Sequence, residues 1–144
     1  MDEDVVVDGR APTRMLSEEE CWQLIREAPY GRLAAAAGGE VDIFPVNHGV
    51  DGNSIVFRTG AGTKLLELTI RHRVAFQIDR ITETDAFSVV VKGEASEFDR
   101  QGEVAEAERL GITPWAPEKK DRWVRIRPTE VQGRTFALPG AAKA

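Results

Sequence analysis

One cysteine, Cys21, stands in 144 residues. No intrachain disulfide can form, and a reducing, cytoplasmic setting is expected. No apolar run approaches the roughly 18 residues that a membrane-spanning helix needs, so no membrane association is expected. The two histidines, His48 and His72, belong to no recognisable ligand spacing, and no metal site is expected. Neither has an evident serine or acid companion, which leaves nucleophilic catalysis without support. A basic surplus is missing too: the net charge of −5 argues against a nucleic-acid partner. Any anion site must therefore be local. The first residues, Met1-Asp2-Glu3-Asp4, are acidic, the reverse of a signal peptide's start. No internal repeat, low-complexity tract or linker divides the chain.

What is present suits one domain with a single core. Residues 1–15 lack periodicity and read as a flexible lead-in, with Val5-Val6-Val7 able to add an edge strand. Ser17 and Glu20 then form a capping box. Cys21, Leu24, Ile25 and Ala28 recur at helical spacing. Short strands follow. Arg32–Ala37 precedes Gly38-Gly39, Val41–Val50 precedes the tight-turn pair Asp51-Gly52, and Ser54–Thr59 makes the third. A short helix over 63–71 offers Leu65, Leu66 and Leu68 to the core. A fourth strand spans 74–79, and a fifth spans 87–98 with a bend at Gly93. Residues 101–110 read as a helix stopped by Gly111. Trp123–Arg127 alternates as the last strand, with Trp123 packing the barrel, and 130–136 follows it. The expectation is a mainly β, six-stranded antiparallel barrel with peripheral helices over residues 16–136, and a tail at 137–144.

The segment from Val56 to Lys64 is the most informative. A strand runs into Gly60-Ala61-Gly62, and a helix opens after Thr63-Lys64. Glycines let backbone N–H groups turn inward, and a helix start adds partial positive charge. Arg58, Thr59, Thr63 and Lys64 would complete an anion cradle. The Walker spacing is absent, and a purely structural turn remains the competing reading. Pro45 removes a ladder hydrogen bond from its strand, so backbone near Phe44, Val46 and Asn47 could face a ligand. The Asn47 amide can both donate and accept. Trp115 lies between Pro114 and Pro117, a rigid setting for an indole that contacts a partner or a flat ligand. His48 is open between pocket lining and packing. His72, beside Arg71 and Arg73, suits a helix end.

Taken in order, Tyr30-Gly31-Arg32-Leu33-Ala34, Phe44-Pro45-Val46-Asn47-His48, the stretch Phe57–Lys64, Val74–Asp79 and Ser88–Ala95 resemble the pyridoxamine 5'-phosphate oxidase-like family of flavin-binding split barrels. The small actinobacterial and nitroimidazole-resistance-like members are most similar. The resemblance implies a homodimer holding FMN at its interface, and a flavin-dependent oxidoreductase acting on a small redox substrate. It assigns the flavin phosphate to Arg58, Thr59, Thr63 and Lys64. It assigns the pyrimidine edge of the ring to Pro45, Val46 and Asn47, with Ser88 where the oxidase offers a glutamine. Trp115 resembles a residue reaching the cofactor from the other subunit. His48 replaces a common tyrosine and Phe87 a common tryptophan, which changes the pocket. The longer C-terminal part of vitamin B6 oxidases has no counterpart, so that activity is not expected. The alternatives are an F420-dependent reductase on the same fold, a haem-binding module, and a cofactor carrier or sensor. No side chain stands out as a general acid or base.

Overall fold

Reciprocal bonds at Ser17 begin the first helix of the computed structural model, which describes residues 13–60, 62–69, 72–98, 109–110 and 122–138. The Glu20 amide donates to Ser17 Oγ at 3.1 Å, and the Ser17 amide donates to Glu20 Oε1 at 2.9 Å. Two orphan donors of the helix start are thereby satisfied. Helix α1 (Glu18–Glu27) buries Cys21, Trp22 and Ile25. Helix α2 (Lys64–Thr69) buries Leu66 and packs Leu65 and Leu68 against the same core.

Among the described residues, eight strands form one sheet: β1 (Thr13–Met15), β2 (Gly31–Ala37), β3 (Glu40–Val46), β4 (His48–Asp51), β5 (Ser54–Thr59), β6 (Arg73–Ile81), β7 (Asp85–Glu97) and β8 (Arg122–Ala137). Their order is β3-β2-β6-β7-β8-β5-β4, with β1 added on β8, and each pairing is antiparallel. β3 and β4 occupy opposite ends of that order, yet only Asn47 separates them. Two Cα–Cα steps span at most about 7–8 Å. The sheet must therefore curl until its edges nearly meet. No ladder joins β3 to β4 among the described residues, which makes the barrel split.

The mainly β, antiparallel class is as expected; the strand count is not. The strand expected over 41–50 breaks at Asn47, where the chain leaves one sheet edge for the other. The last two segments merge into one strand, and Thr13–Met15, expected in the loose lead-in, pairs with Arg134–Phe136. A register shift between Lys92 and Gly93 places the expected bend. Of the helix expected over 101–110, residues 101–108 lie outside the described residues, as do Val5-Val6-Val7 and Trp115, and Arg109-Leu110 form a turn.

Alternation along the strands decides what faces where. Leu33, Phe44, Val46, Phe57, Phe76 and Val91 point into the barrel. Trp123 does not. It packs outside, in a second buried cluster with Val56 and Phe98, because it shares the outward parity of Val56 and Arg125.

Candidate functional site

The turn between β5 and α2 is built by its own hydroxyls. Gly62 sits at φ +73°, a conformation costly for a residue with a Cβ. The Thr63 hydroxyl donates to the Gly60 carbonyl at 2.9 Å and accepts the Leu66 amide at 3.1 Å. It also lies 3.0 Å from the buried Thr59 hydroxyl. A hydroxyl has one hydrogen and two lone pairs, so Thr59 must donate and Thr63 is saturated. Thr63 caps the helix and leaves no hydrogen for a ligand.

The four residues of the expected cradle separate. Thr59 and Thr63 share the barrel-facing side. Arg58, next to Thr59 on a strand, points to the opposite face, where its guanidinium lies 5.0 Å from the Trp123 ring centroid. Lys64 is exposed and reaches β3, with Nζ 3.3 Å from Asp42 Oδ2 and 3.6 Å from Glu40 Oε2. Asp42 first and Glu40 second raise its pKa. Lys64 thus stays protonated inside a local cluster whose formal charge is negative.

A second group assembles on the outer face of the sheet. Cross-strand register aligns Pro45 with Arg32 and Arg32 with Gln77, and Asp79 with Ser88. Arg32 Nη1 donates to Gln77 Oε1 at 3.4 Å and lies 3.7 Å from Asp79 Oδ2. Gln77 Nε2 donates to Asp79 Oδ2 at 2.7 Å and to Ser88 Oγ at 3.5 Å. Pro45 and Ser88, far apart in sequence, therefore flank one polar row. Val46 turns its side chain into the core, leaving only its backbone toward the surface. Asn47 is the half-buried link between the two sheet edges.

Arg32, Gln77 and Asp79 lie in segments that carry the family resemblance, yet the sequence assigns none of them to the site. Each is a polar residue at an outward strand position, and only the pairing register puts them beside Pro45 and Ser88.

His48 faces inward. Its Nε2 lies 2.8 Å from the Ile25 carbonyl and its ring meets Phe76 edge-on at 4.9 Å. It ties α1 to the barrel wall. Burial lowers its pKa, so the ring is neutral and donates Nε2–H to that carbonyl. His72 accepts an amide at its carbonyl from Ala95 and donates its own to Thr69, which anchors the end of α2. The Cys21 thiol is fully buried, and burial first, then Glu20 and Glu18, push its pKa up. It is not a nucleophile. No group of three or more His, Cys, Asp or Glu residues could hold a metal among the described residues.

The family model described as pyridoxamine 5'-phosphate oxidase matches residues 17–135. The chain belongs to this family. Among solved structures, the pyridoxamine 5'-phosphate oxidase-like chain is similar to an FAD-binding protein of Mycobacterium smegmatis, with 34% identity and a TM-score of 0.77 over 86% of this chain and 98% of that one. A conserved protein of unknown function from Corynebacterium diphtheriae shows 33% identity and a TM-score of 0.74, over 86% and 98%. An uncharacterized protein of Mycobacterium tuberculosis is 37% identical over 87 residues, which is 60% of this chain and 79% of that protein. The curled antiparallel sheet, with helices α1 and α2 packed on it, is the split-barrel fold of this oxidase-like family.

Proposed function

We propose that this family member is a homodimeric flavoprotein that binds FMN and serves a small-molecule oxidoreductase reaction. The observation that carries the reading is the family match over residues 17–135, joined to the likeness to an FAD-binding protein over 98% of that protein's chain. FAD contains the same riboflavin phosphate as FMN, so one binding surface can serve either.

The residues fit a flavin by their chemistry. Arg32 and Gln77 on the outer row supply donors, and Gln77 and Ser88 supply acceptors, which suits the pyrimidine edge of a flavin ring lying near Pro45. Asp42, which holds Lys64, lies three residues before Pro45, about 10 Å along the strand at roughly 3.3 Å per residue and on its opposite face, so a cofactor reaching from one to the other passes over the edge of β3. A ribityl chain is of comparable reach. Lys64 is the cation we assign to the phosphate, and it must turn from Asp42 and Glu40 to meet it. That competition holds its contribution to the low end of a charged contact.

Bound there, the isoalloxazine would supply two-electron transfer. This chain's part is to hold the phosphate, orient the ring and exclude water once a second copy covers the outer face. The face is open in one protomer, so the dimer completes the site. His48 cannot act as proton donor to a surface ligand, because it is neutral and engaged inside the barrel.

The visible spectrum of the purified protein, followed by mass analysis of the released cofactor, tests this. A yellow protein releasing FMN is the expected result, and FAD would keep the flavin reading while changing its nucleotide. A colourless protein that takes up neither nucleotide sinks it. The spectrum of F420 or of haem selects those alternatives instead. Lys64→Ala should weaken FMN binding by about tenfold, the low end for a charged contact. Turnover of a nicotinamide, a nitroaromatic or a quinone by loaded protein separates an enzyme from a carrier.

A further inference from the structure

We propose that a second small-molecule site, formed within one protomer and needing no flavin, binds a flat aromatic carboxylate at the rim of the barrel. A cavity of about 200 Å³ opens between the C-terminal end of α1, the start of β2 and the ends of β6 and β7. Leu24 and Ala28 give it an apolar wall, Tyr30 and Phe87 give it two rings, Arg32 and Arg80 give it two cations, and Asp79 and Glu27 two carboxylates; Arg32 and Asp79 also belong to the polar row beside Pro45. It is smaller than the roughly 300–1,000 Å³ of drug-sized sites, which limits the guest to one or two rings.

The two arginines repeat one arrangement with one difference. The Arg32 guanidinium lies 5.9 Å from the Tyr30 ring centroid, and its edge meets the Asp79 carboxylate and the Gln77 amide oxygen. The Arg80 guanidinium lies 5.5 Å from the Phe87 ring centroid. A guanidinium whose carbon lies near an aromatic ring still has N–H groups to offer a carboxylate, often in bidentate form. For Arg32 that carboxylate is Asp79. For Arg80 no carboxylate or other acceptor supplies it among the described residues. A ligand carboxylate completes the second arrangement as Asp79 completes the first, and the ligand's ring lies against the apolar wall.

Glu27, also in the wall, accepts from Gln23 Nε2 at 3.0 Å and adds negative charge on the α1 side. The guest's acidic group must therefore lie at the Arg80 side and its ring toward Leu24. A doubly charged anion is disfavoured.

The probe is 2-naphthoate, titrated into the full-length protein and followed by amide shifts in two-dimensional NMR, with and without FMN. Saturable shifts centred on Tyr30, Arg80 and Phe87 are expected in both samples. Arg80→Gln, an exposed substitution that leaves the core intact, should weaken binding by about tenfold or more, and 2-naphthamide should bind wild type with a similar loss. Equal affinity for the amide, an unchanged Arg80→Gln variant, shifts elsewhere, or no saturable binding each overturn the proposal. The FMN-free sample keeps this outcome separate from the flavin reading.

Discussion

A histidine turned into a barrel gives pH a handle on stability. Burial lowers the His48 pKa in the folded state, below the unfolded value of about 6.5. Between those two values the unfolded chain holds more protons than the native one, so stability falls as pH drops through that window. Above about pH 6.5 both states are neutral and the effect vanishes. His48→Gln should flatten the pH dependence of the urea midpoint across that range, and an unchanged slope would assign the effect to other groups. Gly93 makes a second prediction. A Cβ there would meet the Arg127 carbonyl oxygen at 2.3 Å and Pro128 Cα at 3.0 Å. Both belong to backbone, which cannot swing aside as a side chain can. Gly93→Ala should cost about 3 kcal/mol, at the upper end for overpacking, read from denaturant unfolding. Sequence placed Gly93 at a bend correctly, because a glycine in a long strand already signals one. It could not tell whether His48 faced in or out, because that depends on a one-residue strand break.

At the level of elements, local signals succeeded where the physics is local. Ser17 and Glu20 announce α1 by themselves, since a cap needs only residues three apart. Ser17→Ala should lower stability by about 1 kcal/mol, measured as a shift in urea midpoint without loss of sheet signal. Glu20 is held down at about 2 from 4.5, by the Arg14 guanidinium first and the Ser17 amide second. The help it gives the helix is therefore present above about pH 4.5 and fades as pH falls toward that lower value. The break at Asn47 was illegible for the opposite reason. Pro45 signals an irregular or edge strand within Val41–Val50, but no local feature says that the chain crosses at Asn47 from one sheet edge to the other. The β5–α2 turn was found from its glycines, yet the expected cradle assumed that adjacent residues converge. Strand parity sends Arg58 and Thr59 to opposite faces. Hydrogen-bond accounting turns Thr63 into a cap.

For the whole molecule, the outer face of β3, β2 and β6 is the surface that suits the proposed dimer. Val41 and Ile43 are 72% and 66% exposed. Register places them beside Ala36 and Ala34, and Ala34 beside Ala75. The result is a smooth apolar strip on an edge strand, a surface that soluble monomers seldom leave open. It adjoins the polar row of Arg32, Gln77 and Ser88, so a second copy seated on the strip would cover that row too. Val41→Lys with Ile43→Lys removes no core contact, and surface changes of this kind usually alter folding stability by less than about 0.5 kcal/mol each. The double variant should therefore stay folded, run as a monomer in light scattering and lose bound FMN at concentrations where the wild type retains it. Two chains of net charge −5 also repel, and salt screens that repulsion over a Debye length of about 10 Å at 0.1 M. Dimerisation should tighten as salt rises, whereas an interface held by ion pairs would loosen. A wild-type protein that is monomeric at every salt concentration, and still retains flavin, would place the cofactor on one protomer alone.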